Sequence, residues 1–368
     1  MPSIAIFTPT RSSIKLFYRV YRELYEDGGF TILHYDVVEE SGWFEKGVQY
    51  VSLDYDKPAR VLKYDGDSDL ASLVIEAVEK DEPDLALLAG YSEATKEILA
   101  VLTGMGVKTI HLEGGLRTYR KTGEELMRQM IDWSSHVNLT PDIYGYKNLV
   151  REGFPKTQLY NVGSLLVDTA LSNISRADKL SSIIEELELT KNRYIYAYTE
   201  RINPRNFLEH LGRASIKWDI DIVVPLTKAQ KRSLIEGNVY YDLMTKYYLV
   251  LIEIQDYLDH LSLINNSRHV ITDSSELALE TVVLRRGVSI VDGSDDLYRL
   301  IDRGMASQAS LESLGKLPLD SLRRRGGVDP IKVFGGGESH LRVIDAIDGF
   351  IDEELVLPEW NGPVHMEE

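Results

Sequence analysis

The chain contains no cysteine. That excludes a disulfide framework, a thiol nucleophile and a zinc–thiolate site. No apolar run approaches the roughly 18 residues of a membrane-crossing helix. Basic residues are in deficit: 41 Lys and Arg stand against 58 Asp and Glu, for a formal net charge of -17. Such a balance argues against nucleic acid, whose phosphates are bound by cationic surfaces. It does not exclude a small anionic substrate, because a local arginine cluster and a helix N-terminus bind phosphate whatever the global charge. The opening MPSIAIFTPTR has neither a charged n-region nor a cleavage site. No signal peptide and no membrane contact are therefore expected, and a cytoplasmic protein is. Internal repeats and low-complexity tracts are also absent.

What is present suffices for sizeable cores: 43% of the 368 residues are hydrophobic, and the length suggests about two domains. Short apolar runs alternate with helical patterns. Ile4–Phe7, Phe30–Tyr35, Leu85–Ala89, Val107–Ile110, His136–Thr140 and Leu159–Val162 read as strands of a first unit. Tyr194–Tyr198, Asp221–Pro225 and His269–Thr272 read as strands of a second. Helical periodicity at Ile14, Phe17, Tyr18, Tyr21 and Leu24, and over Leu70–Glu79, fills the intervals. The pattern predicts α/β architecture, two Rossmann-like parallel sheets. Gly42–Leu62 is expected to be a loop, Tyr240–Tyr248 an aromatic core stripe, and Glu253–Leu263 a helix. Leu166–Leu189 reads as a polar helical linker. The expected division is 1–170, 171–345, and a tail, 346–368, returning to the first unit.

Chemistry concentrates in His111–Arg128, HLEGGLRTYRKTGEELMR. His111 and Glu113 would share a side if their strand persisted. Gly114 and Gly115 permit close backbone approach or positive φ. Glu124 and Arg128 lie one helical turn apart. Spacing alone is equally compatible with a surface turn whose acids favour a helix N-terminus. Elsewhere, Arg11 and Lys15 follow the first strand, where open α/β sheets place ligands. Asp273, Ser274 and Ser275 open a helix that carries Glu280, as ordinary caps or as an anion site.

The string H-x-E-x-G-L-R-T at His111–Thr118, followed by Glu124, Glu125 and Arg128, resembles the signature of the non-hydrolysing UDP-N-acetylglucosamine 2-epimerases. The likeness continues through Tyr144–Val150 and into Gly163–Asp168, GSLLVD, beside the family's G-N-T-V-x-D. Phe334–Glu338 with Arg342 is similar to its glycine-rich turn before the last helix. The resemblance implies a GT-B-like pair of domains with a UDP-sugar in the cleft between them, a homodimer, and no metal or cofactor. It implies that a base removes the C2 proton as UDP leaves C1, and that UDP and a proton then return to invert C2. It places Glu113 and Glu124 as acid–base candidates, with Arg128 orienting one. Arg11, Lys15, Arg201 and Ser274 would hold the diphosphate, and Glu280 the ribose.

Several positions depart from that pattern. Thr10–Lys15, TRSSIK, is one residue shorter than the family's T-R-P-E-x-I-K. Tyr91 stands where the family has an aspartate thought to move a proton. Tyrosine, with an ordinary pKa near 10, is a poor base at neutral pH. Glu200 stands at a histidine position beside Arg201. Ser275 and Glu276 replace glycines, Leu279 replaces a glutamate, and VDGSDDL at Val291–Leu297 replaces T-E-R-P. These departures leave two other outcomes open: hydrolysis or transfer of the sugar, and a degenerate homologue that only binds a nucleotide-sugar.

Overall fold

The computed structural model describes residues 1–39, 60–64, 69–291, 297–316, 318–319 and 329–351. In chain order the first half contains β1 (Ser3–Thr8), α1 (Arg11–Asp27), β2 (Thr31–Glu39), β3 (Arg60–Tyr64), α2 (Leu70–Asp81), β4 (Leu85–Ala89), α3 (Glu93–Gly104), β5 (Lys108–Leu112), α4 (Gly123–Ser134), β6 (Val137–Thr140), α5 (Ile143–Arg151) and β7 (Leu159–Asn161). Helices α6 (Leu165–Leu180) and α7 (Ile183–Glu186) lead to the second half. That half contains β8 (Tyr194–Tyr198), α8 (Pro204–Trp218), β9 (Asp221–Leu226), α9 (Lys228–Glu236), α10 (Tyr240–Lys246), β10 (Leu249–Glu253), α11 (Tyr257–Asn266), β11 (His269–Thr272), α12 (Ser275–Val283), β12 (Val288–Val291), α13 (Tyr298–Asp302) and β13 (Ser307–Ala309). Helices α14 (Leu311–Leu314), α15 (Pro330–Val333) and α16 (Ser339–Ile351) complete it.

Among the described residues the strands form two parallel sheets, in the orders β3-β2-β1-β4-β5-β6-β7 and β10-β9-β8-β11-β12-β13. Each order reverses once, between β1 and β4 in the first sheet and between β8 and β11 in the second. Such reversals open a crevice at the carboxyl ends of the strands. The loops after β1, β4, β5, β8 and β11 therefore converge on the cleft, and they carry the residues singled out above. The central strands β1 and β4 are buried on both faces, which is why LALLA at Leu85–Ala89 is apolar throughout.

Helix α1 shows how local sequence sets the frame. Thr10 caps it, accepting from the Ser13 amide at 3.2 Å, while Ser13 Oγ accepts from the Thr10 amide at 2.9 Å. This reciprocal box starts the helix at Arg11 and puts Lys15 one turn in. Leu16, Phe17, Val20, Tyr21 and Leu24 form its buried stripe. Each such side chain contributes about 1.5–3 kcal/mol when fully buried.

Four expectations are corrected. Arg60–Leu62 belong to strand β3, not to a loop; the rest of Gly42–Leu62 lies outside the described residues, as does 292–296 of the VDGSDDL stretch. Glu253 ends strand β10, and the helix begins at Tyr257, capped by Asp256. Helix α6 is not a polar linker. Residues 165–170 are buried without a break, because α6 packs against α1 of the first half and α11 and α12 of the second. Over 165–170, where the helix is covered on all sides, no amphipathic period is expected. It also runs unbroken through residue 170. Within Tyr240–Tyr248 the stripe divides: Tyr240 and Tyr247 are buried, whereas Tyr241 and Tyr248 face solvent.

Helix α16 packs against helices α1 and α6. Asp168, the last residue of GSLLVD, accepts from the His340 amide at 2.7 Å, with His340 Nδ1 also at 2.7 Å. Arg342 Nε donates to the Val162 carbonyl at 2.7 Å. Gly163, at φ 93°, lies so close to Gly335 that a Cβ there would collide with backbone. Helix α16 is thereby seated on α1 and α6. Residues 352–368 lie outside the described residues.

Candidate functional site

Strand β5 stops at Leu112, so His111 and Glu113 do not share a side as the sequence led one to expect. Glu113 takes a left-handed conformation, φ 63°. A non-glycine residue held there is strained by roughly 1–3 kcal/mol, and such strain collects at functional sites. The turn is held from below by Asp132 of α4, which is fully buried. Its Oδ1 lies 2.8 Å from His111 Nδ1. Its Oδ2 accepts from the Gly115 amide at 3.1 Å and from Arg117 Nη1 at 2.6 Å. Arg117 in turn grips Glu152 with two bonds of 2.8 Å. Gly115, at φ 81°, abuts the Gly145 carbonyl, and a side chain there would have no room.

Tyr91 belongs to this support. Its hydroxyl donates to the Asp132 carboxylate at 3.2 Å and accepts from the Leu116 amide at 3.1 Å. Burial first, and then Asp132, raise its pKa well above the ordinary value. Tyr91 therefore holds its proton and fastens the Glu113 turn. The guanidinium of Arg128 lies over its ring, 4.9 Å from the centroid.

The Glu113 carboxyl points toward the start of α6. Oε1 accepts from Ser164 Oγ and from the Leu165 amide, both at 2.9 Å. Oε2 has no hydrogen-bond partner among the described residues. Burial pushes the pKa up to about 7, against Arg299 and the two hydrogen bonds, which pull it down. A carboxyl poised near neutrality is suited to taking and returning a proton. Arg299, from α13 of the second half, is held by Asp142 at 2.7 Å. On α4, Glu124 Oε1 accepts from Arg128 Nη2 at 2.9 Å and lies 3.9 Å from Arg201 of the second half. Its neighbour Glu125 instead ties the Thr118 amide and hydroxyl, at 2.6 and 2.8 Å.

Across the cleft a cavity of about 200 Å³ opens beside α12. Lys15, Tyr196, Tyr198, Glu200, Ser274, Glu276 and Glu280 are among its lining residues. Lys15 reaches it from α1 despite the shortened TRSSIK loop. Its Nζ lies 3.0 Å from Glu276 Oε2 and 3.5 Å from Glu280 Oε1. Glu280 also accepts from the Tyr257 hydroxyl at 2.9 Å, and His260 Nε2 lies 3.2 Å away. Burial opposes its ionisation, but Lys15, His260 and Tyr257 outweigh it and hold the pKa at about 2. Glu200 is exposed at the rim, with its carboxyl directed inward, where Oε1 accepts from Ser274 Oγ at 2.6 Å. Burial first, then Glu276, raise its pKa to about 7.

Asp273, expected at the ligand, is used inside the protein. Its carboxylate accepts from Thr199 Oγ1 at 2.8 Å and from the amides of Glu200, Arg201 and Ile202 at 2.8, 3.0 and 3.1 Å. It shapes the loop that presents Glu200. Ser275 opens α12 but does not line the cavity. Arg11 opens α1, and its side chain lies outside the described residues.

Sequence reasoning passed over Asp132, Tyr196, Tyr198 and His260. The alternation in YIYAY was the available signal, since a strand points every second residue to one side. Tyr194 accordingly bonds the Leu263 carbonyl at 2.6 Å, Tyr196 lies 3.0 Å from His260 Nδ1, and Tyr198 reaches the cavity.

The fold recurs in known proteins. A solved Methanocaldococcus jannaschii UDP-GlcNAc 2-epimerase, in complex with UDP-GlcNAc and UDP, superposes with a TM-score of 0.82 at 20% identity, over 94% of this chain and 99% of that one. The Neisseria meningitidis UDP-GlcNAc 2-epimerase bound to UDP-GlcNAc gives 0.78 at 18% identity, over 94% and 99%. At such identities the likeness establishes the GT-B-like fold. A UDP-N-acetylglucosamine 2-epimerase homolog of Methanococcus maripaludis is 29% identical over 288 residues, 74% of this chain and 77% of its own length. The family model for UDP-N-acetylglucosamine 2-epimerase matches residues 68–299, more than half of the chain and the whole stretch from Tyr91 to Glu280. With the Glu113 turn and helix α12 both inside that span, the chain belongs to the UDP-N-acetylglucosamine 2-epimerase family.

Proposed function

We propose that this family member interconverts UDP-N-acetylglucosamine and UDP-N-acetylmannosamine by eliminating UDP and adding it back. The observation that carries the reading is the Glu113 carboxyl: strained in place, tied through one oxygen, and poised near pH 7. As base it takes the C2 proton while the C1–O bond to UDP breaks. Glu124, oriented by Arg128, serves the opposite face and returns a proton when UDP re-adds. Lys15, Arg11, Arg201 and the Ser274 end of α12 receive the diphosphate, and a helix N-terminus favours that charge. Glu280 is assigned to the ribose hydroxyls. Tyr91 is assigned no proton, because it is needed as a clasp. The proposed units remain 1–170, 171–345 and 346–368, and the proposed working form is a cytoplasmic homodimer, which light scattering of the purified protein checks.

Product analysis by NMR tests the reaction. Incubation with UDP-N-acetylglucosamine in deuterated water should give a UDP-linked mixture of two sugars with deuterium at C2. Free sugar with UDP would replace epimerisation by hydrolysis. Glu280→Ala should weaken UDP affinity roughly ten- to 150-fold, because a lost hydrogen bond to a charged group is worth about 1.5–3 kcal/mol. Unchanged affinity in calorimetric titration would move the ribose site elsewhere.

A further inference from the structure

The cavity assigned to the diphosphate already contains anions. Glu200, Glu276 and Glu280 line it against Lys15, the one lysine or arginine among its described lining residues. The two donors best placed for phosphate oxygens are both engaged. Ser274 Oγ, the cap of α12, donates to Glu200 at 2.6 Å. Lys15 Nζ lies 3.0 Å from Glu276. A phosphate would accept from these same atoms. We propose that Glu200 and Glu276 are internal stand-ins for the two phosphate groups, and that a diphosphate binds only by displacing them, with uptake of one proton by Glu200. The proposal rests on the nucleotide reading of this cavity.

Glu200 is the group that takes the proton. Glu280 is excluded, because Lys15, Tyr257 and His260 keep it ionised down to about pH 2. Glu200 faces Lys15 from α1, Tyr198 from the end of β8, and Asp273, Ser274 and Glu276 at the start of α12, with Arg201 beside it and Glu280 and His260 on the far wall. Burial and the carboxylates of Glu276 and Asp273 already outweigh Lys15 and the Ser274 bond, which places its pKa at about 7. A diphosphate adds negative charge at close range and raises it further. Glu200 is thus neutral in the complex and half-ionised near pH 7 without ligand. Binding must therefore weaken as pH rises. For one linked proton and a starting value of about 7, affinity falls roughly tenfold between pH 6 and pH 8.

Calorimetric titration with UDP-N-acetylglucosamine tests this, since its diphosphate is a diester that does not titrate in that range. Runs in buffers of different ionisation heat count the protons taken up. The expected result is a fall in affinity of about tenfold from pH 6 to pH 8, with about half a proton taken up near pH 7. Glu200→Gln preserves the Ser274 contact but cannot ionise. It should bind at pH 8 as the wild type binds at pH 6, with no proton uptake. Equal wild-type affinity at both pH values without proton uptake overturns the proposal and leaves the nucleotide reading standing. Loss of binding in the Gln variant alone also overturns it, since Glu200 would then contact the ligand as a carboxylate. No binding by either protein at either pH removes both readings together.

Discussion

Glu113→Gln lowers turnover of UDP-N-acetylglucosamine by at least about 100-fold, the usual worth of a general acid–base group, while the substrate still binds. Glutamine keeps an oxygen to accept from Ser164 and Leu165, so the 2.9 Å contacts that seat the side chain survive. What disappears is the oxygen proposed to take the C2 proton. The pH profile adds a second readout. A base with a pKa of about 7 works only when ionised, so the wild-type kcat at saturating substrate rises with pH through neutrality. The variant's residual rate should be flat there. Glu200 acts in the opposite sense, and on affinity rather than on turnover, so saturating substrate separates the two. Near-normal turnover in Glu113→Gln would make Glu113 a turn residue only and pass the base role to Glu124.

Asp132→Ala should destabilise the protein by about 3–5 kcal/mol, as expected when one partner of a buried ion pair is removed. The mechanism is the loss of a shared acceptor. The Gly115 amide, His111 Nδ1 and the Tyr91 hydroxyl all converge on this carboxylate, and Arg117 approaches it at 2.6 Å. An alanine deprives these buried groups of their shared acceptor, and leaves the Tyr91 hydroxyl only the Glu113 carbonyl at 3.4 Å. Arg117 retains Glu152, which limits the loss to that range. Urea unfolding of the two proteins, compared at equal slope, measures it. A change below about 1 kcal/mol would mean that the network closes without Asp132. The same substitution loosens the Glu113 turn, so turnover should fall even in the fraction that remains folded.

Local patterning alone specifies much of this protein. Apolar runs of five residues separated by capped amphipathic helices lead to parallel α/β sheets, because only strands covered on both faces tolerate such runs. The caps are local too: Thr10 with Ser13, and Ser274 with Leu277, are read three residues apart. The spacing of HLEGGLRT and the glutamates after it also identifies the family, since each motif lies within one strand-to-helix turn. Tertiary structure decides what each group in those motifs does. Lys15 meets Glu276 across 261 positions of sequence, and Glu200 meets Ser274 across 74. No periodicity encodes such pairings, so neither the burial that lifts Glu113 and Glu200 toward neutrality nor the Lys15, His260 and Tyr257 contacts that hold Glu280 low were legible beforehand. Asp273 shows the limit best. Its place at the start of a helix was legible as a cap or as an anion site, but the backbone amides of Glu200, Arg201 and Ile202 fold back onto it and take up its carboxylate. Tyr91 is the converse case: a substitution that looks like lost chemistry becomes a clasp, because the Asp132 carboxylate and the Leu116 amide lie within reach of its hydroxyl only once β4, β5 and α4 have packed together.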